Sequence, residues 1–134
     1  MALKGYVVAL ELETMDNTDF RRVLYTGKHS QLVLMNLKPG EEIGMEVHPQ
    51  LDQFFRFESG MGEVSIDGVK HQVEDGDAAI VPAGAAHNVT NTSKSEQLKF
   101  YTLYSPPEHI DKTIRHTKAE ALAVPEEYDG KPTE

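Results

Sequence analysis

Glu46 and His48 stand two residues apart, Gln53 follows shortly after, and His87 lies in a separate stretch. A carboxylate, two imidazoles and an amide oxygen are donor types that together can hold a divalent ion. Side chains two apart on a strand share a face, so Glu46 and His48 project together while Met45 and Val47 point the other way. Residues 49–52 read as a turn that returns the chain into Gln53-Phe54-Phe55-Arg56-Phe57. That run is expected to pair antiparallel with the strand of Glu46 and His48, bringing Gln53 beside His48. His87 opens a later strand, aimed by turns at Gly76-Asp77 and Pro82-Ala83-Gly84. These residues meet only if the strands close into a barrel.

The rest of the chain supplies such strands. Gly or Pro recurs at Gly27, Pro39-Gly40, Gly44, Pro49, Gly60, Gly62, Gly68, Gly76, Pro82 and Gly84, with short apolar-rich runs between. The runs are 6–12, 20–25, 31–37, 45–48, 54–58, 63–66, 69–73, 78–81, 87–90 and 98–104. Short strands at this spacing predict an all-β sandwich or barrel. Asp67-Gly68 between two alternating runs is the strongest hairpin signal. Only Thr117-Lys-Ala-Glu-Ala-Leu-Ala123 reads as helix, with a Thr cap three residues before Glu120 and Pro125 as its stop. The expected organisation is one domain over 1–125, with an N-terminal strand and a short C-terminal helix, and a polar, frayed tail over 126–134.

Composition narrows the function classes. The chain has 134 residues, one domain's worth, and a formal charge of −9. Such a chain is not expected to hold nucleic acid by bulk charge. Hydrophobic residues at 39% suffice for a core. There is no Cys, which excludes disulfides, thiolate metal sites and Cys nucleophiles. No apolar run approaches the roughly 18 residues of a membrane span. Residues 1–12 lack a leader's small-residue cleavage site, so a cytoplasmic location is expected.

The stretches from Gly40 to Gly60 and from Gly76 to Asn91 resemble the two motifs of the cupin superfamily. The second matches in full: Gly76, five residues, Pro82, one, Gly84, two, His87, three, Asn91. The first matches in spacing and departs in chemistry. The family places His-x-His, four residues, Glu, six, Gly; counting back from Gly60, those positions hold Glu46, His48 and Gln53. The resemblance covers roughly 31–104 and implies a jelly-roll barrel (double-stranded β-helix) of two antiparallel sheets with one divalent metal inside. The implied ligands are Glu46, His48, Gln53 and His87, with Gln53 either a direct ligand or a group that hydrogen-bonds one. One carboxylate is retained, so the formal charge of the family's site is preserved. Two His and one carboxylate suit Fe(II); Mn, Zn and Ni stay open. Small members commonly form homodimers, which would suit an outward Phe54.

Phe55 and Phe57 share the phase of Gln53 and are expected in the core, making the substrate pocket apolar. Tyr101 and Tyr104 are candidates to line the pocket, with core packing or a dimer surface as alternatives. His109, after the last strand, is a candidate acid or base at the barrel mouth. Asp52 reads as a turn residue, and His29, His71 and His116 as solvated. Arg56 and Lys99 should point outward, leaving no evident phosphate anchor. The expected function is metal-dependent chemistry on a small oxygenated molecule, dioxygenase-like or isomerase-like, including sugar isomerase-like. The alternative is a barrel that binds a small ligand without transforming it.

Overall fold

The computed structural model describes residues 2–134, which form α1 (Leu10–Asp16), β1 (Arg21–Thr26), β2 (Gln31–Leu37), β3 (Glu46–Val47), β4 (Asp52–Ser59), β5 (Met61–Ile66), β6 (Val69–Glu74), β7 (Ala78–Val81), β8 (Ala86–Asn91), β9 (Leu98–Ser105), β10 (Ile114–Arg115) and α2 (Lys118–Ala123). All strand pairs are antiparallel. One sheet runs β10-β1-β2-β9-β4-β7 and the other β3-β8-β5-β6. Alternation explains why the sheets face each other. On β4, Gln53, Phe55 and Phe57 are buried; on β9, Leu98, Phe100, Thr102 and Tyr104 are buried. The apolar ones meet Val33, Met35 and Leu37 of β2 and Val64 and Val89 of the smaller sheet in one core. Each such side chain withdrawn from water contributes about 1.5–3 kcal/mol. The result is the expected jelly-roll barrel.

The Asp67-Gly68 hairpin is present: Ile66 pairs Val69, and the two turn residues have φ of 46° and 84°. Two consecutive positive φ values give the turn that matches strand twist. The motif glycine Gly60 has φ 93°, and a Cβ there would lie 2.4 Å from the Gln97 carbonyl oxygen. Thr117 caps α2 as expected, its side chain accepting from the Glu120 N–H.

Three expectations are corrected. Residues 6–12 form no strand; Leu10–Asp16 is a helix, although Ala9 gives it no side-chain cap. It is held from its own side by Thr14, buried and bonded to the Leu10 carbonyl, and from the barrel by Lys99, whose ammonium reaches the Met15 carbonyl. Next, β3 pairs with β8 and not with β4, so the turn after His48 crosses between sheets. Finally, the tail over 126–134 is docked. Tyr128 N–H donates to the Glu108 carbonyl and Thr133 N–H to the Thr26 carbonyl. The Glu134 carboxylate accepts from the Lys4 and Gly5 N–H groups and the Tyr25 hydroxyl. Among the described residues no helix is long and apolar enough to cross a membrane.

Candidate metal centre

The β3–β8 pairing sets Glu46 directly opposite His87. Opposed residues share a face, and strand alternation adds His48 on the same side. Glu46 Oε2 is 3.2 Å from His48 Nε2 and 3.9 Å from His87 Nε2. One donor atom from each of the three residues lies within 4.8 Å of the others, the span of a shared cation. The loops are pinned together: Gly84 N–H donates to the His48 carbonyl, and Ala83 N–H to the Asp52 carboxylate. Asp52, expected in the turn, instead opens β4 opposite Ser105. At the far end of the second motif, the Asn91 amide bridges the Leu37 and Glu96 carbonyls, a structural role.

Gln53 comes to this site from the other sheet. It is 2% exposed and lines a small space with His48 and His87. Its Nε2 donates to the Thr102 hydroxyl, which leaves Oε1 buried without a partner. The His87 ring is equally short of partners, both nitrogens being buried and lacking a well-aligned hydrogen bond. A metal ion is a natural partner for such lone pairs, so the residues present fit the group that the first motif implies.

The electrostatics agree. Burial holds His87 below its ordinary pKa, against the pull of Glu46, so it stays a neutral donor. His48 is raised, chiefly by its hydrogen bond to Glu46, with burial opposing and the charges of Glu46 and Glu108 assisting. Burial works against the Glu46 charge, but the hydrogen bond and charges of His48, with His87 and Arg21, outweigh it, and its pKa falls. Glu108 Oε2 stands 3.4 Å from His48 Nδ1, the far side of the ring. A carboxylate there would hold Nε2 as the nitrogen that faces a bound ion.

A cavity of about 620 Å³ opens from Glu46 and His48 toward α2 and the tail, with Arg21, Tyr104, Glu108, His109 and Glu126 on its walls. His109 Nδ1 is 2.9 Å from Glu126 Oε1, and its Nε2 is 3.2 Å from the Tyr104 hydroxyl. The Tyr104 ring sits edge-on to His48 at 6.0 Å. Tyr104 and His109 are therefore cavity residues, as expected. Tyr101 is not: three positions from Tyr104 on one strand, it faces outward against Phe54, whose ring is 6.4 Å away. Phe55 and Phe57, expected to make the pocket apolar, do not line this cavity; they are core residues below the site, with Phe55 6.1 Å from the His87 ring. His29 and His71 are exposed, and His116, also exposed, pairs with Asp19 at 2.7 Å. Arg56 is half-buried beside Glu58.

Sequence reasoning missed Arg21, Glu108 and Glu126. The Pro106-Pro107-Glu108-His109 run was a signal for Glu108, and strand phase was one for Arg21. Glu126 is seventeen residues from His109 on a polar tail and carried none.

Residues 33–104 match the cupin domain family. YrkC of Bacillus subtilis, an uncharacterized protein, is 45% identical over 127 residues, spanning 90% of this chain and 68% of its own length. L612 of Acanthamoeba polyphaga mimivirus, likewise uncharacterized, is 44% identical over 108 residues, 78% of this chain and 67% of its own. The crystal structure of BH2720 from Bacillus halodurans aligns with a TM-score of 0.87 at 43% identity, covering 90% of this chain and 96% of that one. With a barrel, two motifs and a candidate Glu-His-His cluster at its mouth, the chain belongs to the cupin family.

Proposed function

We propose that the protein is a metal-dependent enzyme that moves a proton on a small oxygenated molecule, an isomerase-like chemistry. The observation that carries this reading is the contact chain Glu126–His109–Tyr104, which ends beside His48 on the wall of the cavity holding Glu46. A divalent ion held by Glu46, His48 and His87, with Gln53 Oε1 as a fourth donor, would supply Lewis acidity toward a carbonyl or enol oxygen. The protein's own groups supply the proton. With Glu126 ionised, His109 carries its proton on Nδ1 and its Nε2 accepts from the Tyr104 hydroxyl. Burial raises Tyr104 far above the ordinary phenol range, so it stays protonated. When His109 is doubly protonated the bond reverses. Nε2–H then donates to Tyr104, whose own proton is free to pass to an oxygen in the cavity.

The donor set favours a second reading. Two His and one carboxylate suit a non-haem Fe(II) centre, and dioxygenase-like chemistry would follow. The experiment is to measure metal content after purification without added metal. The metal-loaded protein is then incubated in D₂O with a panel of hydroxy-carbonyl compounds, sugars and oxo acids, with deuterium incorporation read by NMR. The expected result is one ion per chain and C–H exchange that Tyr104→Phe abolishes while retaining the metal. O₂ consumption without exchange supports the dioxygenase-like reading instead. Metal and ligand binding with neither supports a non-catalytic binding barrel, and failure to bind metal overturns the proposal.

A further inference from the structure

Arg21 opens β1 opposite Met35, a fully buried core residue, so the register turns its side chain toward the barrel interior. It lines the same cavity as Glu46 and His48. Its guanidinium carbon lies 5.3 Å from the centroid of the Phe20 ring, an arrangement that orients the fork. Its Nε is buried with no hydrogen-bond partner, and among the described residues the side chain makes no hydrogen bond or ion pair. Two other arginines are employed differently. Arg115, opposite it in register, donates to the Val124 carbonyl, and Arg56 stands beside Glu58. Arg21 still makes itself felt: after the larger effects of His48 on Glu46 and of His109 on Glu126, its charge adds to the lowering of both pKa values.

We propose that Arg21 is the anchor for a substrate carboxylate, so that the molecule taken by this cavity is a small hydroxy- or oxo-carboxylic acid. This rests on the reading that the cavity is the substrate site of a metal centre. A buried Nε–H without a partner is costly, and a planar carboxylate matches the guanidinium fork with two parallel charge-assisted bonds. A phosphate dianion fits less well. Glu108, Glu126 and Glu127 share the wall, and a second negative charge would face them with only Lys118 added in compensation. A monocarboxylate on Arg21 leaves its hydroxyl or oxo oxygen to face Glu46, His48 and the ion they would hold.

The test is calorimetric titration of the Zn²⁺-loaded full chain with lactate and pyruvate, with their uncharged amides, and with inorganic phosphate. It is repeated on Arg21→Gln, on Arg21→Lys and on the metal-stripped protein, with metal content measured for each. The expected result is a preference of about tenfold or more for acid over amide, the worth of a charged hydrogen-bond pair. Arg21→Gln should lose that preference at unchanged metal content, and Arg21→Lys should keep part of it. The metal-stripped protein should keep a weaker acid preference. An Arg21→Gln variant that binds the acids like the parent overturns the assignment, as does a parent that binds phosphate more tightly than either acid. Acid preference without any metal uptake would leave Arg21 standing and sink the metal reading alone.

Discussion

Replacing His87 with Leu should stabilise the metal-free protein while destroying its response to metal. His87 is 2% exposed, and burial keeps it neutral. It then has one N–H donor and one acceptor, neither with a well-aligned partner. An unsatisfied buried polar atom costs about 1–3 kcal/mol. Leu removes both and fills similar space, at the loss of a ring contact to Phe55 worth roughly 0.5–1.5 kcal/mol. The net gain should be about 0.5–5 kcal/mol, or ~2–20 °C in Tm for a chain of this size. The parent, in turn, should gain about 4 kcal/mol when the ion is present at ~1,000 times its Kd. The variant should gain little of that, having lost one of three strong donors. Thermal unfolding with chelator and with added Zn²⁺ or Mn²⁺ reads both arms. A variant that melts below the parent in chelator, or that keeps the parent's full metal-dependent gain, would refute the reasoning.

Metal uptake should release about one proton per chain at a pH about one unit below the raised His48 value, and less as pH rises through it. His48 is raised and must lose its proton to ligate, whereas His87 is depressed and already neutral; affinity should therefore fall as pH drops through the His48 value, and calorimetry in buffers of different ionisation enthalpy counts the proton. Gly60→Ala should cost about 3 kcal/mol or more, combining a positive φ with the Gln97 clash, whereas Gly40→Ala, whose Cβ meets nothing within 4 Å, should cost only about 1–2 in chemical denaturation. Gln53→Glu should tighten Mn²⁺ binding, Gln53→Ala should weaken it less than His48→Ala does, and His71→Ala, an exposed control, should leave it unchanged; a Gln53→Glu protein with parental affinity would show that residue 53 does not touch the ion.

The barrel was legible because its rules are local. Period-two alternation put Gln53, Phe55 and Phe57 on one face, and Asp67-Gly68 announced its own turn. The ligand trio was legible because two of its members share a strand face and the third sits at a fixed place in a demanding motif. What failed was non-local. The pairing of β3 with β8 depends on how the barrel closes, which the turn after His48 does not encode. The first helix has no capping side chain, and its Val7-Val8-Ala9-Leu10 approach reads as strand. Glu126 and Glu134 look like solvated charges until His109 and the Tyr25 hydroxyl are placed against them across the fold. Tyr101 and Tyr104 could not both have faced the cavity, and alternation alone was enough to separate them.

Among the described residues, the buried polar side-chain atoms without partners belong to Arg21, Gln53, His87 and Arg56. Arg56 has Glu58 at 3.3 Å to answer its charge. The other three converge on one end of the barrel from β1, β4 and β8. Native interiors leave few such groups unpaired, because each is a loss that apolar packing elsewhere must offset. A chain selected only to fold would gain by replacing them with Leu or Met. Their concentration at one place marks that end of the barrel as a candidate binding site. The chemistry of the atoms says for what: lone pairs on His87 and Gln53 call for a cation, and the guanidinium of Arg21 calls for an anion. A molecule carrying a carboxylate and a second oxygen, bound across an ion, would satisfy both demands at once. Ion and acid should therefore bind with positive coupling, each tightening the other, whereas Arg21→Gln should lower acid affinity whether or not the ion is present.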